Sequence, residues 1–187
     1  MKFDLAKILT ASFLLISFVA WIVGPGYLGL SWPWFQPYTL VTYAFAGRGS
    51  LVDMLLSAFF FWITLSTLLL RLNTKRFCIL FFSALLSIGS ASLLLLWLTK
   101  SFFILMGPAP LIYCLLTTLV LSDKHLKIAL LGMLPVPPTT MIVVLLGINT
   151  LQNLAAGAYF QIAANLIGVA YAFGVTPFLK KRTHKMR

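Results

Sequence analysis

Charged side chains are scarce in this sequence. They make up 9% of its 187 residues, against roughly 25% in a soluble domain. With 61% hydrophobic residues and a mean hydropathy of +1.02, water is excluded as the main solvent. Acidic residues number three, and only Asp53 falls at membrane depth. Cysteine is nearly absent as well. Cys78 and Cys114 each sit in an apolar run without CxxC or metal-ligand spacing, so they read as buried free thiols, and neither a metal nor a cofactor is expected. No long polar stretch occurs, which leaves no room for a separate soluble domain.

What is abundant is apolar sequence, in lengths suited to a bilayer core of about 30 Å, which takes about 20 residues per helix. Breaking the chain at charges and Gly/Pro clusters predicts an all-α membrane protein of six spans, near residues 5–23, 51–70, 77–98, 109–121, 139–150 and 154–178. The fourth and fifth are too short to cross alone. A helix of about 13 residues covers roughly 20 Å, so their ends should be packed inside protein or extended by irregular backbone that faces a cavity. The start of the chain, from Met1 to Lys7 ahead of a long apolar run, is like that of a signal peptide. No small-x-small cleavage site follows, and Trp21 and Pro25 favour a first span that is retained.

The net charge of +11 would point to nucleic acid in a soluble protein. Here the basic residues stand at span ends and in a basic tail over residues 180–187, the pattern of topology signals and of contact with anionic lipid headgroups. Nucleic acid is therefore not an expected partner. With six spans, Lys2, Lys7, Arg71, Lys75, Arg76, Lys124, Lys127, Lys180, Lys181, Arg182, Lys185 and Arg187 share one side, twelve of the fourteen, and only Arg48 and Lys100 lie opposite. The positive-inside bias puts both termini in the cytoplasm, with a bacterial plasma membrane as the expected location. Between the first two spans, Gly24, Pro25, Gly26, Trp32, Pro33, Trp34 and Pro37 should prevent a continuous helix and hold a loop at the headgroup level. Leu126 to Pro138, with three prolines, should be a second non-helical approach to a short span.

A few residues inside the spans could carry chemistry. Asp53, near the outer start of the second span, should be protonated or strongly hydrogen bonded, either in a polar cavity or at a water-reached interface. Gly107, Pro108, Ala109 and Pro110 open the fourth span, where proline is tolerated because first-turn amides lack an intrahelical partner; this can be a plain loop followed by a helix start. Gly157, Gln161, Ala164, Gly168 and Ala172 recur on one helix face of mostly small residues, suited to close helix packing, although Gln161 and Asn165 would still need hydrogen-bonding partners.

Taken in order, these pieces resemble the rhomboid family of intramembrane serine proteases and its inactive relatives, over most of the chain from about Tyr38 onward. The stretch YTLVTYAF from Tyr38 to Phe45 is similar to the family's approach to its second helix, and LVDML from Leu51 to Leu55 to its Leu-Phe-Asn-Met-Leu. GPAPLIYCL from Gly107 to Leu115 follows Gly-x-Ser-Gly-x-x-Tyr-x-Leu, and AANLIGVAYA from Ala163 to Ala172 follows Ala-Ala-His-x-x-Gly-x-x-x-Gly. The resemblance implies a rhomboid-like six-helix bundle in which the second, fourth and sixth helices meet, so that Asp53 should approach Ala109 and Asn165.

The departures from the family pattern are chemical. Ala109 stands where the resemblance implies the nucleophilic serine, and Asn165 where it implies the general-base histidine. A methyl group cannot attack a carbonyl and an amide cannot take a proton near neutral pH. Gly49 and Asp53 fall where the family stabilises its oxyanion, and a carboxylate there would repel the developing charge. Gly49, Asp53, Gly107, Ala109, Tyr113, Asn165 and Gly168 are thus the expected positions of a vestigial site. His125 and His184 fall on the cytoplasmic side, too far to substitute. The leading expectation is a non-enzymatic, rhomboid-like protein that binds transmembrane segments of client proteins. The alternative is a small proton-coupled transporter or channel component using Asp53, although no internal repeat pairs the halves and no second ionisable residue accompanies it. A protease with a displaced nucleophile, Ser101, Thr117 or Thr118, would lack a base.

Overall fold

The structure, a computed structural model, describes residues 2–47, 50–122, 128–130 and 134–183. Its elements in order are α1 (Lys2–Val23), α2 (Pro25–Leu28), β1 (Leu30–Ser31), α3 (Thr39–Thr42), α4 (Leu51–Arg71), α5 (Thr74–Thr99), β2 (Ile104–Leu105), α6 (Ala109–Ser122), β3 (Ile128–Leu130), β4 (Leu134–Val136), α7 (Pro138–Ala155) and α8 (Tyr159–Thr183). Among the described residues, α1, α4, α5, α7 and α8 are long and apolar enough to cross a membrane, and α6 is a shorter apolar helix.

Three of the long helices run close to their expected bounds, because lysine, arginine, glycine and proline interrupt the apolar sequence on both sides. The fifth does not. The expected 12-residue span at 139–150 is an 18-residue helix, Pro138–Ala155, about 27 Å long at 1.5 Å per residue. The polar residues that seemed to end it are accommodated within it. Asn153 Nδ2 donates to the carbonyl oxygen of Asn149, one turn back, at 2.8 Å and to Asn149 Oδ1 at 2.7 Å, so the amides satisfy one another and the backbone stays helical. The chain turns only at Gly157, whose φ of +66° favours glycine. Leu154 and Ala155 therefore belong to α7 rather than to the last helix, and Gly157 drops out of the small-residue face of α8. That helix begins at Tyr159 and continues through Pro177 to Thr183.

At 14 residues, α6 has the length expected for the fourth span, and its surroundings explain how so short a helix is tolerated. Every residue from Pro110 to Leu119 is buried. A helix that is apolar all round has no face to offer water and belongs in the middle of a bundle. It packs most extensively against α8 and also against α7, α4 and α5. Its approach is held inside the protein: β2 pairs antiparallel with β1, Leu30 opposite Leu105 and Ser31 opposite Ile104, and the Gly107 amide donates to the Tyr43 carbonyl at 2.8 Å. Gly107 has φ +102°, again a glycine conformation.

The first loop is exposed at one end and inserted at the other. Tyr27, Trp34 and Tyr38 are exposed, whereas Tyr43, Ala44, Phe45 and Ala46 are buried. The inserted end is tied down on two sides. Ser17 Oγ donates to the Phe45 carbonyl and accepts from the Gly47 amide. Tyr43 donates its hydroxyl to the Leu85 carbonyl at 3.2 Å, and burial pushes its pKa up, so it stays a donor. Gly89 of α5 makes this possible, since a Cβ there would sit 3.1 Å from the Tyr43 ring and 3.3 Å from the Leu40 carbonyl oxygen. Beneath the loop, the rings of Phe13, Phe45, Phe61, Phe77 and Phe81 form a continuous aromatic cluster joining α1, α4 and α5. The second non-helical approach, before α7, is the hairpin β3–β4, with Ile128 opposite Val136.

Candidate functional site

The contact between α6 and α8 is set by one small residue. A Cβ on Gly168 would land on the Pro110 carbonyl oxygen, and the nearest other atoms, Pro110 C and Ile88 Cδ1, lie at 3.1 and 3.5 Å. Only glycine lets the two backbones meet here, which is how small residues drive helix contact in lipid. Along α8, Gln161, Ala164, Asn165, Gly168 and Ala172 are all buried, so the face expected from their spacing is the packed one. Ala109 precedes Pro110 in α6, and Asn165 precedes Gly168 by three residues in α8. The close crossing thus ties together the two segments that carry them.

Asn165 is fully buried and its Nδ2 donates to Asn149 Oδ1 on α7 at 2.8 Å. Asn149 Oδ1 also accepts from Asn153, so three carboxamides are linked across the α7–α8 seam. Two acceptors have no partner among the described residues: Asn165 Oδ1 and Gln161 Oε1 are both buried without a hydrogen bond there. On the α6 side, the Tyr113 hydroxyl donates to the Leu145 carbonyl of α7 at 3.0 Å. Tyr113 and Asn165 are thus each bonded to α7, at Leu145 and Asn149, while Gly168 meets α6 at Pro110. Ala109 is half-buried at the start of that helix and Gly107 is buried beside it.

Asp53 does otherwise. Its carboxylate accepts from the Ser50 amide at 3.0 Å and the Ser50 hydroxyl at 2.8 Å, while Ser50 Oγ accepts from the Asp53 amide at 3.2 Å. This is a capping box that closes the start of α4. The side chain is exposed. The polar partner of Asn165 comes from α7 and not from α4, which corrects the expected approach of Asp53: an acidic residue in the first helical turn, three places after a serine, is best satisfied by its own helix end. Gly49, His125 and His184 lie outside the described residues.

Sequence reasoning missed Asn149 and Asn153. Their four-residue spacing puts both amides on one helix face, a signal that was present in the sequence but read as the end of a span. Of the displaced nucleophiles considered, Thr118 donates to the Cys114 carbonyl at 2.9 Å, while the buried Thr117 hydroxyl has no partner among the described residues. Cys114 is buried and Cys78 half-buried, both as free thiols. Among the described residues, no group of three or more His, Cys, Asp or Glu side chains could hold a metal ion.

An α-helical bundle built around a short, wholly buried apolar helix, with several helices of membrane-spanning length about it, defines a multi-pass membrane protein. The family model for the Rhomboid domain matches residues 34–182, and the chain belongs to the rhomboid family. No curated protein matches it.

Proposed function

We propose that this rhomboid-family protein crosses the membrane six times, with α6 as the fourth span and both termini in the cytoplasm, and that it binds transmembrane segments of client proteins without cleaving them. The observation that carries the reading is the carboxamide chain at the position of the general base. Asn165 is fully buried and bonded to Asn149, and a carboxamide neither accepts a proton from a nucleophile near neutral pH nor returns it to a leaving amine. Ala109 at the start of α6 supplies no nucleophile. The close α6–α8 crossing and the ties from α7 to both helices support a scaffold that keeps its packing without the chemistry. Twelve of fourteen basic residues on one side support the orientation.

A carrier that uses Asp53 is less well supported, because that carboxylate is engaged in closing its own helix. The test is a reconstituted assay in liposomes with a labelled single-span substrate. The expected result is retention of the substrate by the protein and no cleavage, for the wild type and for Ala109→Ser alike. Cleavage by the wild type that disappears in Thr117→Val or Ser101→Ala would overturn the proposal, as would proton-driven flux abolished by Asp53→Asn.

A further inference from the structure

Five buried side-chain oxygens or nitrogens have no hydrogen-bond partner among the described residues: Ser66 Oγ, Ser92 Oγ, Thr117 Oγ1, Gln161 Oε1 and Asn165 Oδ1. The three hydroxyls can rotate and are donors as well as acceptors. The two amide oxygens are different, because a carbonyl oxygen can only accept. They lie four residues apart in α8, on one face and one turn from each other. Gln161 and Asn165 are 6% and 0% exposed, so neither oxygen is open to bulk water. Nor can Asn165 relieve itself by turning over, since its Nδ2 is held on Asn149 Oδ1 and a flip would set two oxygens against each other. Asn153 has likewise directed its amide nitrogen at Asn149. What remains unpaired among the described residues is therefore Asn165 Oδ1 at the α7–α8 seam and, one turn earlier in α8, Gln161 Oε1, and in a low-dielectric interior such acceptors demand a donor.

The seam is also the less tightly closed side of α8. Pro138 and Met141 are the buried residues of α7, and α7 packs against α8 far less than α6 does. We infer that Gln161 and Asn165 accept hydrogen bonds from a donor-bearing side chain of a client's transmembrane helix, a Ser or Thr hydroxyl, an Asn or Gln amide or a Lys ammonium, inserted at the α7–α8 seam. This rests on the client-binding reading and adds to it the chemistry that selects the client: a helix with one polar donor at the depth of the first two turns of α8. A wholly apolar helix leaves both oxygens unpaired, and a side chain with only acceptors adds a third.

The experiment uses the full-length protein in liposomes and fluorescent, Leu-based transmembrane peptides. Each carries one guest residue, scanned over one helical turn: Thr, Gln, Lys, Leu or O-methylthreonine, which keeps the oxygen of threonine but carries a methyl group in place of its proton. Binding is read by energy transfer. Thr, Gln and Lys peptides are expected to bind roughly three- to thirtyfold more tightly than the Leu and O-methylthreonine peptides, the range spanned by interhelical hydrogen bonds in lipid. Gln161→Leu combined with Asn165→Leu is expected to erase that preference, the Thr, Gln and Lys peptides then binding no more tightly than the Leu peptide. Gln161→Leu alone, which leaves the Asn165–Asn149 bond intact, is expected to reduce the preference and serves if the double variant does not fold. Equal binding of all peptides would overturn the inference and leave client binding standing, with a resident water satisfying the oxygens. No binding of any peptide would overturn both.

Discussion

The contact of Gly168 with Pro110 gives a perturbation whose sign can be worked out in advance. Alanine at position 168 would place a methyl carbon on the Pro110 carbonyl oxygen and 3.1 Å from its carbonyl carbon. Both are backbone atoms of a helix buried on every side, so no flexible side chain can swing away. Relief requires α8 to move off α6, and overpacking of this kind costs about 1–3 kcal/mol. The replacement also brings a gain, because alanine is roughly 1 kcal/mol better than glycine in a helix interior. Gly174, six residues further along α8, separates the two effects, since nothing lies within 4 Å of a Cβ there. The propensity gain is common to Gly168→Ala and Gly174→Ala and cancels between them. Their difference is then the overpacking term alone, with Gly168→Ala about 1–3 kcal/mol less stable than Gly174→Ala and expected toward the upper end because the obstacle is backbone. Equilibrium unfolding of both variants in mixed micelles at increasing mole fraction of denaturing detergent measures it. A difference within about 0.5 kcal/mol, the scatter of substitutions that touch nothing, would refute the close crossing and with it the convergence of the two motif segments.

Two further variants test the ties around the site. Tyr113→Phe removes the hydroxyl bonded to the Leu145 carbonyl and is expected to lower stability by about 1 kcal/mol, with faster amide exchange in the middle of α7 and little change in α4; unchanged exchange in α7 would show that the bond does not hold that helix. Ser50→Ala removes half of the capping box at the start of α4, at about 0.5–2 kcal/mol. Its effect is expected in the amide exchange of the first turn of α4, whereas binding of a transmembrane peptide at α7–α8 should be unaltered.

How much of this was legible in the sequence follows from which signals are local. The bounds of α4, α5 and α6 could be read because each is bracketed by residues that a helix or a bilayer rejects, such as Arg71 and Gly107–Pro108. The boundary between α7 and α8 could not. Polarity at Asn149, Thr150, Gln152 and Asn153 resembles the end of a span, and what keeps the helix going is pairing among the amides and with Asn165, sixteen residues further on. Hydropathy counts polar atoms one at a time and cannot see them satisfy one another. Asp53 was misjudged for the opposite reason. The local signal, Ser50-x-x-Asp53 ahead of an apolar run, was there to be read as a capping box, but the comparison with the family placed the residue at a distant meeting of helices. The β1–β2 pairing, two residues on each side, is too short for any period to reveal.

On the proposed reading, the residues at the dyad positions also differ in what they ask of their surroundings. A catalytic histidine needs a neighbour that tolerates both its neutral and its charged form. Asn165 has one form, so its neighbours can be fixed, and here they are: Asn149 Oδ1 is fully engaged by two amide nitrogens. Restoring a serine at position 109 would therefore leave it without a base, and restoring histidine at position 165 would remove one of the two amide donors of Asn149 Oδ1, leaving it the one from Asn153. The histidine would then have to take up a proton in a buried site without a described carboxylate partner, where a charge is costly. The two departures from the protease pattern are thus coupled through α7. On the proposed non-proteolytic reading, recovering the chemistry takes more than the two substitutions, because the α7 neighbours of position 165 are arranged for a carboxamide and not for an imidazole.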